Sequence, residues 1–377
     1  MLSLEELHAY ANAHFEETLA LLKELAAIPA PSGQERRRAE RVLQWLHQKG
    51  GAAAFIDEAL NVVLPFTNPD TRDTAVLMAH TDIVFPDEGP IAVTEEYGRL
   101  LAPGVGDDTA NLVCLLMAAA YVLDKELKPR LNVIVAANSC EEGLGNLKGC
   151  QHMMEQYGDR TVEFISFDGT LSKCTAVAVG SQRYRVRVKT EGGHSYGAFG
   201  NESAIHRLAE MIVLLHQQQV PTKAKTTYNV GVIEGGTTVN TIAESAQMLY
   251  EFRSEDRDCL RTMEQSFLRI VEDFRDRDIE VEVETLGIRP CNGDIDPVRH
   301  QQLIDRSVQD TQALYPGDVE MKPGSTDANI PLSMGIPAVT FGLIEGGRAH
   351  AYEEWISIDS LRVGLSLALR TLLHSFY

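Results

Sequence analysis

Short apolar runs, each stopped by a polar motif, place the tightest limit on how this chain can fold. Residues 74–78 are continuously apolar but for Thr74, as a strand buried on both faces must be. Residues 131–137 read as a second buried strand and 163–166 as a third. Helical spacing fills the intervals, over 108–124 and 145–157. Strands alternating with helices in this way predict an α/β unit built on a mostly parallel sheet. Ligands of such sheets bind beyond the carboxyl ends of the strands. His80, Glu142 and Asp168 fall at those ends.

The pattern changes further along. A half-exposed strand over 184–189 is followed by a helix over 201–218, strands over 226–233 and 246–252, a helix over 257–276 and a strand over 279–285. This β-α-β-β-α-β order is that of a ferredoxin-like split βαβ domain. It predicts an inserted α+β domain over 181–291, within a discontinuous domain made of 1–180 and 292–377. The second part of that domain supplies a helix over 297–315, a strand over 338–342 and a helix over 357–375. Near the start, one or two helices span 3–28. Ser32 followed by Glu35 resembles a capping box for the helix that runs to about Gln48 and stops at Gly50-Gly51.

With 34 Lys and Arg against 54 Asp and Glu, the net charge is −20, which argues against nucleic acid or an anionic membrane as partner. The apolar run over 112–123 is too short to span a bilayer and reads as a buried helix. The six cysteines form no CxxC pair and are expected to be reduced thiols. Together with an N-terminus lacking a basic and apolar leader, they lead to an expectation of a cytoplasmic protein.

Five residues in short polar motifs could hold metal: His80, Asp107, Glu142, Asp168 and His350. Two imidazoles and three carboxylates suit two divalent ions sharing a carboxylate, zinc first, with manganese or cobalt as alternatives. Each residue also has a plainer use. His80 could simply end a strand, Asp107-Asp108 could be a turn and helix cap, and Glu141-Glu142 could be a solvated turn. Neither Gly104-Val-Gly106 nor Gly143-Leu-Gly145 completes a dinucleotide fingerprint, and no HExxH motif is present.

The order of His-Thr-Asp, Gly-Asp-Asp, Glu-Glu, Phe-Asp, an insertion opening with Gly-Gly-His-Ser and a late His before Glu-Trp resembles the M20 metallopeptidases, especially their tripeptidase branch, called peptidase T-like. The resemblance covers nearly the whole chain. It implies a zinc-hydrolase catalytic domain with an inserted lid or dimerisation domain, and a homodimer. It also implies that His80 and Asp168 hold one metal, that Glu142 and His350 hold the other, and that Asp107 bridges them, often with a cis peptide following it. Asp82 would orient His80, Glu141 would be the general base, and His194 would stabilise the oxyanion. Asn240, Arg253 and the Gly324 loop would bind substrate. Where the family frequently has lysine after the bridging motif, this chain has Thr109. Asp at 168 resembles the aminopeptidase and dipeptidase members, so short peptides are the expected substrates. The alternatives are an N-acyl amino-acid deacylase or carboxypeptidase, or a catalytically dead binding protein.

Overall fold

The computed structural model describes residues 2–86 and 89–377. The chain divides into two compact units, Met1–Ala178 with Gly293–Tyr377, and Val179–Asn292. The boundaries expected from sequence were 180/181 and 291/292.

The larger unit is built on an eight-stranded sheet. At its centre, Thr74–His80 pairs in parallel with Asn132–Asn138 on one side and Thr161–Phe167 on the other, and Thr161–Phe167 pairs in parallel with Ala338–Phe341. Val62–Phe66 is antiparallel to Asn132–Asn138. Every residue of Thr74–His80 is buried. Its side chains alternate between two cores. Ala75, Leu77 and Ala79 join the larger one, with Leu112, Leu115 and Leu365. Val76 and Met78 join the other, with Leu147, Met153 and Ile330. The continuous apolar run is therefore the signature of a sheet covered on both faces. Helix Ala110–Asp124 belongs to the larger core. With the turn before it, the segment is long and apolar enough to cross a membrane, but 89% of its apolar window is buried within the protein.

Two local expectations fail. The helix Arg36–Gln48 has no side-chain cap. Ser32 instead donates to Asp82 Oδ2 at 2.6 Å, and Glu35, fully buried, accepts from the Gly33 and Cys140 amides. Asp108 does not cap the next helix either. It accepts from the His80 amide at 2.9 Å and from Asn111 Nδ2 at 2.6 Å. In both cases a distant partner outcompetes the local cap.

The smaller unit has an antiparallel sheet ordered Thr226–Gly235, Ser245–Ser254, Gly180–Lys189, Glu280–Arg289. Helices Ala204–Gln217 and Arg257–Asp276 share its core, where Val186, Met248 and Phe252 meet Leu208, Met211 and Phe267. On the same strands, charged residues alternate with the apolar ones, and pairs such as Arg185–Glu284 and Lys189–Glu282 cross between strands. The sheet order is that of the ferredoxin-like split βαβ arrangement.

Candidate metal centre

Strand register brings the polar motifs together. His80 lies opposite Asn138 in the parallel ladder, so the segment after each strand emerges at the same edge of the sheet. Asp168 follows Thr161–Phe167 directly, and its amide donates to Phe341 O at 3.2 Å. Asp107 lies in the tight turn Val105–Thr109, where its backbone leaves helical geometry (φ −115°, ψ 86°) and the peptide to Asp108 is cis. His350 sits in a loop with a positive φ of 64°.

Donor atoms of His80, Asp107 and Asp168 lie within 4.8 Å of one another, as do those of Asp107, Glu142 and His350. Asp107 is common to both groups. Its Oδ1 is 3.1 Å from His80 Nε2, and its Oδ2 is 3.1 Å from His350 Nε2. His350 Nε2 is also 3.1 Å from Glu142 Oε1. A third group joins His80, Glu141 and Glu142. Imidazole nitrogens and carboxylate oxygens in two triads with one shared carboxylate fit a pair of divalent cations.

Electrostatics point the same way. Burial would lower the His80 imidazole, but Asp108, Asp107 and Asp82 outweigh it and raise it well above the usual histidine range. Hydrogen bonds to Asp107 and Glu142 raise His350 to about 11. Asp168 is pushed up to about 7 by burial and the Asp107 charge. Burial would raise Asp107 too, but the hydrogen bonds to His350 and His80 hold it below the usual carboxylate range. The cluster retains protons because it holds more negative charge than its imidazoles can balance, and a bound cation would displace those protons.

Buried hydrogen bonds fix the donors. His80 Nδ1 is 3.1 Å from the Asp82 carbonyl and 3.4 Å from its carboxylate, which leaves Nε2 to face Asp107. The Asp82 carboxylate also accepts from the Glu141 and Glu142 amides, both at 2.9 Å. One side chain thus orients an imidazole and holds the acidic pair. Thr109 donates to Gly104 O at 2.6 Å and accepts from the buried Arg38 at 3.2 Å.

Glu354 was missed in the sequence, although it is the Glu of the closing Glu-Trp. It is buried, and accepts from the amides of Gly104 (2.8 Å), Gly106 (2.8 Å) and Asp107 (2.7 Å), clamping the turn that carries Asp107. Burial and the Asp107 charge raise its carboxyl to about 7. An acidic residue four positions after a candidate ligand was the available signal.

The remaining candidates divide between the units. Gly324 belongs to the larger one. Its amide donates to Val177 O at 3.0 Å, and a Cβ there would come within 3.0 Å of the Thr175 methyl. His194, Asn240 and Arg253 belong to the smaller one. His194 is exposed in a two-residue strand paired with Thr241–Ile242, and its Nδ1 accepts from the Tyr196 and Gly197 amides at 3.2 Å. Asn240 adjoins it through its carbonyl, which accepts from the Ser195 amide at 3.0 Å. The Arg253 guanidinium bonds twice to Glu251, at 3.1 Å each.

Comparison with known proteins adds independent findings. The profile of the family described as "Peptidase family M20/M25/M40" matches residues 76–374. A succinyl-diaminopimelate desuccinylase from Corynebacterium glutamicum is 26% identical over 364 residues, covering 92% of this chain and 93% of the relative. Among solved structures, the aminopeptidase PepT from Bacillus cereus superposes with a TM-score of 0.73 at 18% identity, covering 94% of this chain and 97% of that one. A tripeptidase from Staphylococcus aureus superposes with a TM-score of 0.72 at 20% identity, covering 94% and 96%.

Proposed function

The chain belongs to peptidase family M20/M25/M40, and from that premise we propose that it hydrolyses short peptides next to a free N-terminus with two divalent metal ions, zinc first. The observation that carries this reading is the carboxylate of Asp107, shared between two imidazole-containing donor groups. His80 and Asp168 would hold one ion, Glu142 and His350 the other, and Asp107 would bridge them. When bound, the ions polarise the scissile carbonyl and lower the pKa of a water. The chain's own residues do the rest. Glu141, buried and held by Asp82 through its amide, takes the proton from the attacking water on its carboxylate and returns it to the leaving amine. Asp82 keeps His80 Nε2 turned toward the cluster.

His194 would donate to the developing oxyanion, with the inserted unit acting as lid or homodimer interface. Tyr196, Phe199 and Val239, each at least 90% exposed in the loops around His194, support a surface built to meet another body. Asn240, Arg253 and the Gly324 loop would contact the substrate. Six buried free thiols support a reducing compartment, the cytoplasm.

A second reading is supported by the desuccinylase relative: the same cluster would remove an acyl group from an amino acid. A screen of di- and tripeptides against N-acyl amino acids, with zinc, manganese or cobalt added, separates the two. Peptides are expected to be the better substrates, and faster turnover of N-acyl amino acids would overturn that preference. Glu141→Gln should retain metal while turnover falls at least ~100-fold. Near-normal turnover in the metal-loaded variant would assign the proton transfers elsewhere.

A further inference from the structure

A cavity of about 530 Å³ adjoins the metal centre within the larger unit and shares Glu142 with it. Ile83, Val84, Phe85 and Leu144 supply an apolar wall. Val84 and Leu144 are 38% and 65% exposed, so part of their apolar surface stays open among the described residues. The wall is held in place by the Ile83 amide, which donates to Ala30 O at 2.9 Å, and by the bridge between Pro31 and Ile83.

Among the described residues lining this cavity, Lys148 is the one basic residue. It makes no ion pair with any described residue, in a chain of net charge −20. Glu142, the one acid among the described residues of the cavity wall, is engaged by His350 at 3.1 Å. Lys148 also opens the helix Lys148–Tyr157, the end at which a cation opposes the helix dipole. Its position is fixed, because Gly149 packs against the Ser139 carbonyl with no room for a Cβ.

We infer that this cavity recognises a short aliphatic substituent ending in a carboxylate, carried beside the scissile amide, with its methylenes along Ile83, Phe85 and Leu144 and its charge on Lys148. This inference rests on the adjoining cluster being the hydrolytic site. An apolar wall with one cation selects for such a group because methylenes gain from burial and an unpaired carboxylate would be rejected without the cation. Two sources present the same chemistry: an acidic amino-acid side chain in a peptide, and a dicarboxylic acyl group on an amine.

The test measures kcat/KM on pairs that differ only in charge, Glu-Ala-Ala against Gln-Ala-Ala and N-succinyl-alanine against N-butanoyl-alanine. In one pair or both, the acidic member should be favoured about fivefold, the upper range for an exposed ion pair. The pair that shows the preference identifies the source. Lys148→Met should bring the ratio to about one, Lys148→Glu should invert it, and Lys148→Arg should restore it. A ratio in both pairs that is indifferent to Lys148 overturns the inference. Ligand-observed NMR supplies a readout free of turnover. Succinamate, but not butyramide, should bind the metal-stripped protein, and Lys148→Met should abolish that binding. Equal succinamate binding by wild type and Lys148→Met overturns the pocket, whether or not any amide is cleaved. Absence of amide cleavage with every metal would count against the hydrolase reading alone.

Discussion

Apart from His350, which is exposed in its loop, the larger unit encloses its candidate functional groups, whereas the smaller unit displays two of its own to solvent. In the larger unit Asp82, Glu141, Glu142 and Glu354 are all at most 7% exposed. Two of these carboxylates accept from amides in distant parts of the chain, Asp82 from Glu141 and Glu354 from Asp107. In the smaller unit His194, in a short exposed strand, and Asn240, in the loop beside it, face solvent, and among the described residues His194 Nδ1 bonds to amides two and three residues away. The charged face of that unit's sheet is likewise open to water. Groups that must keep a fixed mutual geometry need a low-dielectric, over-determined setting. A group that meets its target only on association can be displayed on a loop.

This contrast predicts effects of decreasing size. His194→Ala should lower turnover about 10²–10³-fold, the cost of losing one oxyanion donor, while bound metal stays unchanged. Wild-type turnover under saturating metal would show that the exposed loop has no catalytic part. Glu354→Gln, which removes the charge from the clamp and exchanges one acceptor oxygen for a donor, should weaken metal binding about 10–100-fold with native circular dichroism. Unchanged affinity in a metal titration would break the argument that the buried ties hold Asp107.

The smallest effect concerns pH. In metal-free protein, Asp168 and Glu354 rise to about 7 from ordinary carboxylate values, and His350 rises to about 11 from 6.5. All three bind protons more tightly folded than unfolded, so their contribution is complete at the acid end and is lost as pH rises. The carboxyls lose theirs from about 4 to 7, and His350 from about 6.5 to 11. Asp107 and Asp82 are held low and act in the opposite sense, but their contribution falls away only below about pH 3.8. The Tm of metal-free protein should therefore fall as pH is raised above 4, by about 2–4 °C for each kcal/mol lost. Added divalent metal should reverse the trend, since cations replace the protons. A Tm that rises with pH without metal would place the excess charge outside this cluster.

Much of this was legible because it is written locally. The apolar run over 74–78 encodes a strand covered on both faces, and the alternation over 184–189 encodes one covered on a single face. The order of elements from 184 to 285 matches the split βαβ sheet. What escaped depends on partners far along the chain. Ser32 and Glu35 have the spacing of a capping box, yet their partners are Asp82, 50 residues away from Ser32, and Cys140, 105 away from Glu35. Asp108 resembles a helix cap but serves the His80 amide, 28 residues back. Glu354 looks like one acid in a polar loop, and nothing near it shows that three amides await it. Buried hydrogen bonds repay desolvation wherever the fold provides them, so local propensity gives way.

The clamp on Asp107 also orders events in time. Its acceptor lies 247 residues beyond the amide it holds. At a synthesis rate of 5–20 residues per second, roughly 10–50 s separate the emergence of the two from the ribosome. His350 arrives in the same late segment as Glu354. For most of that interval the nascent chain carries His80, Asp107, Glu141 and Glu142 without the carboxylate that sets the Asp107 turn or the second imidazole. A chain in the midst of synthesis therefore lacks a finished cleavage centre, and the last part of this unit to be made is the part that arms it.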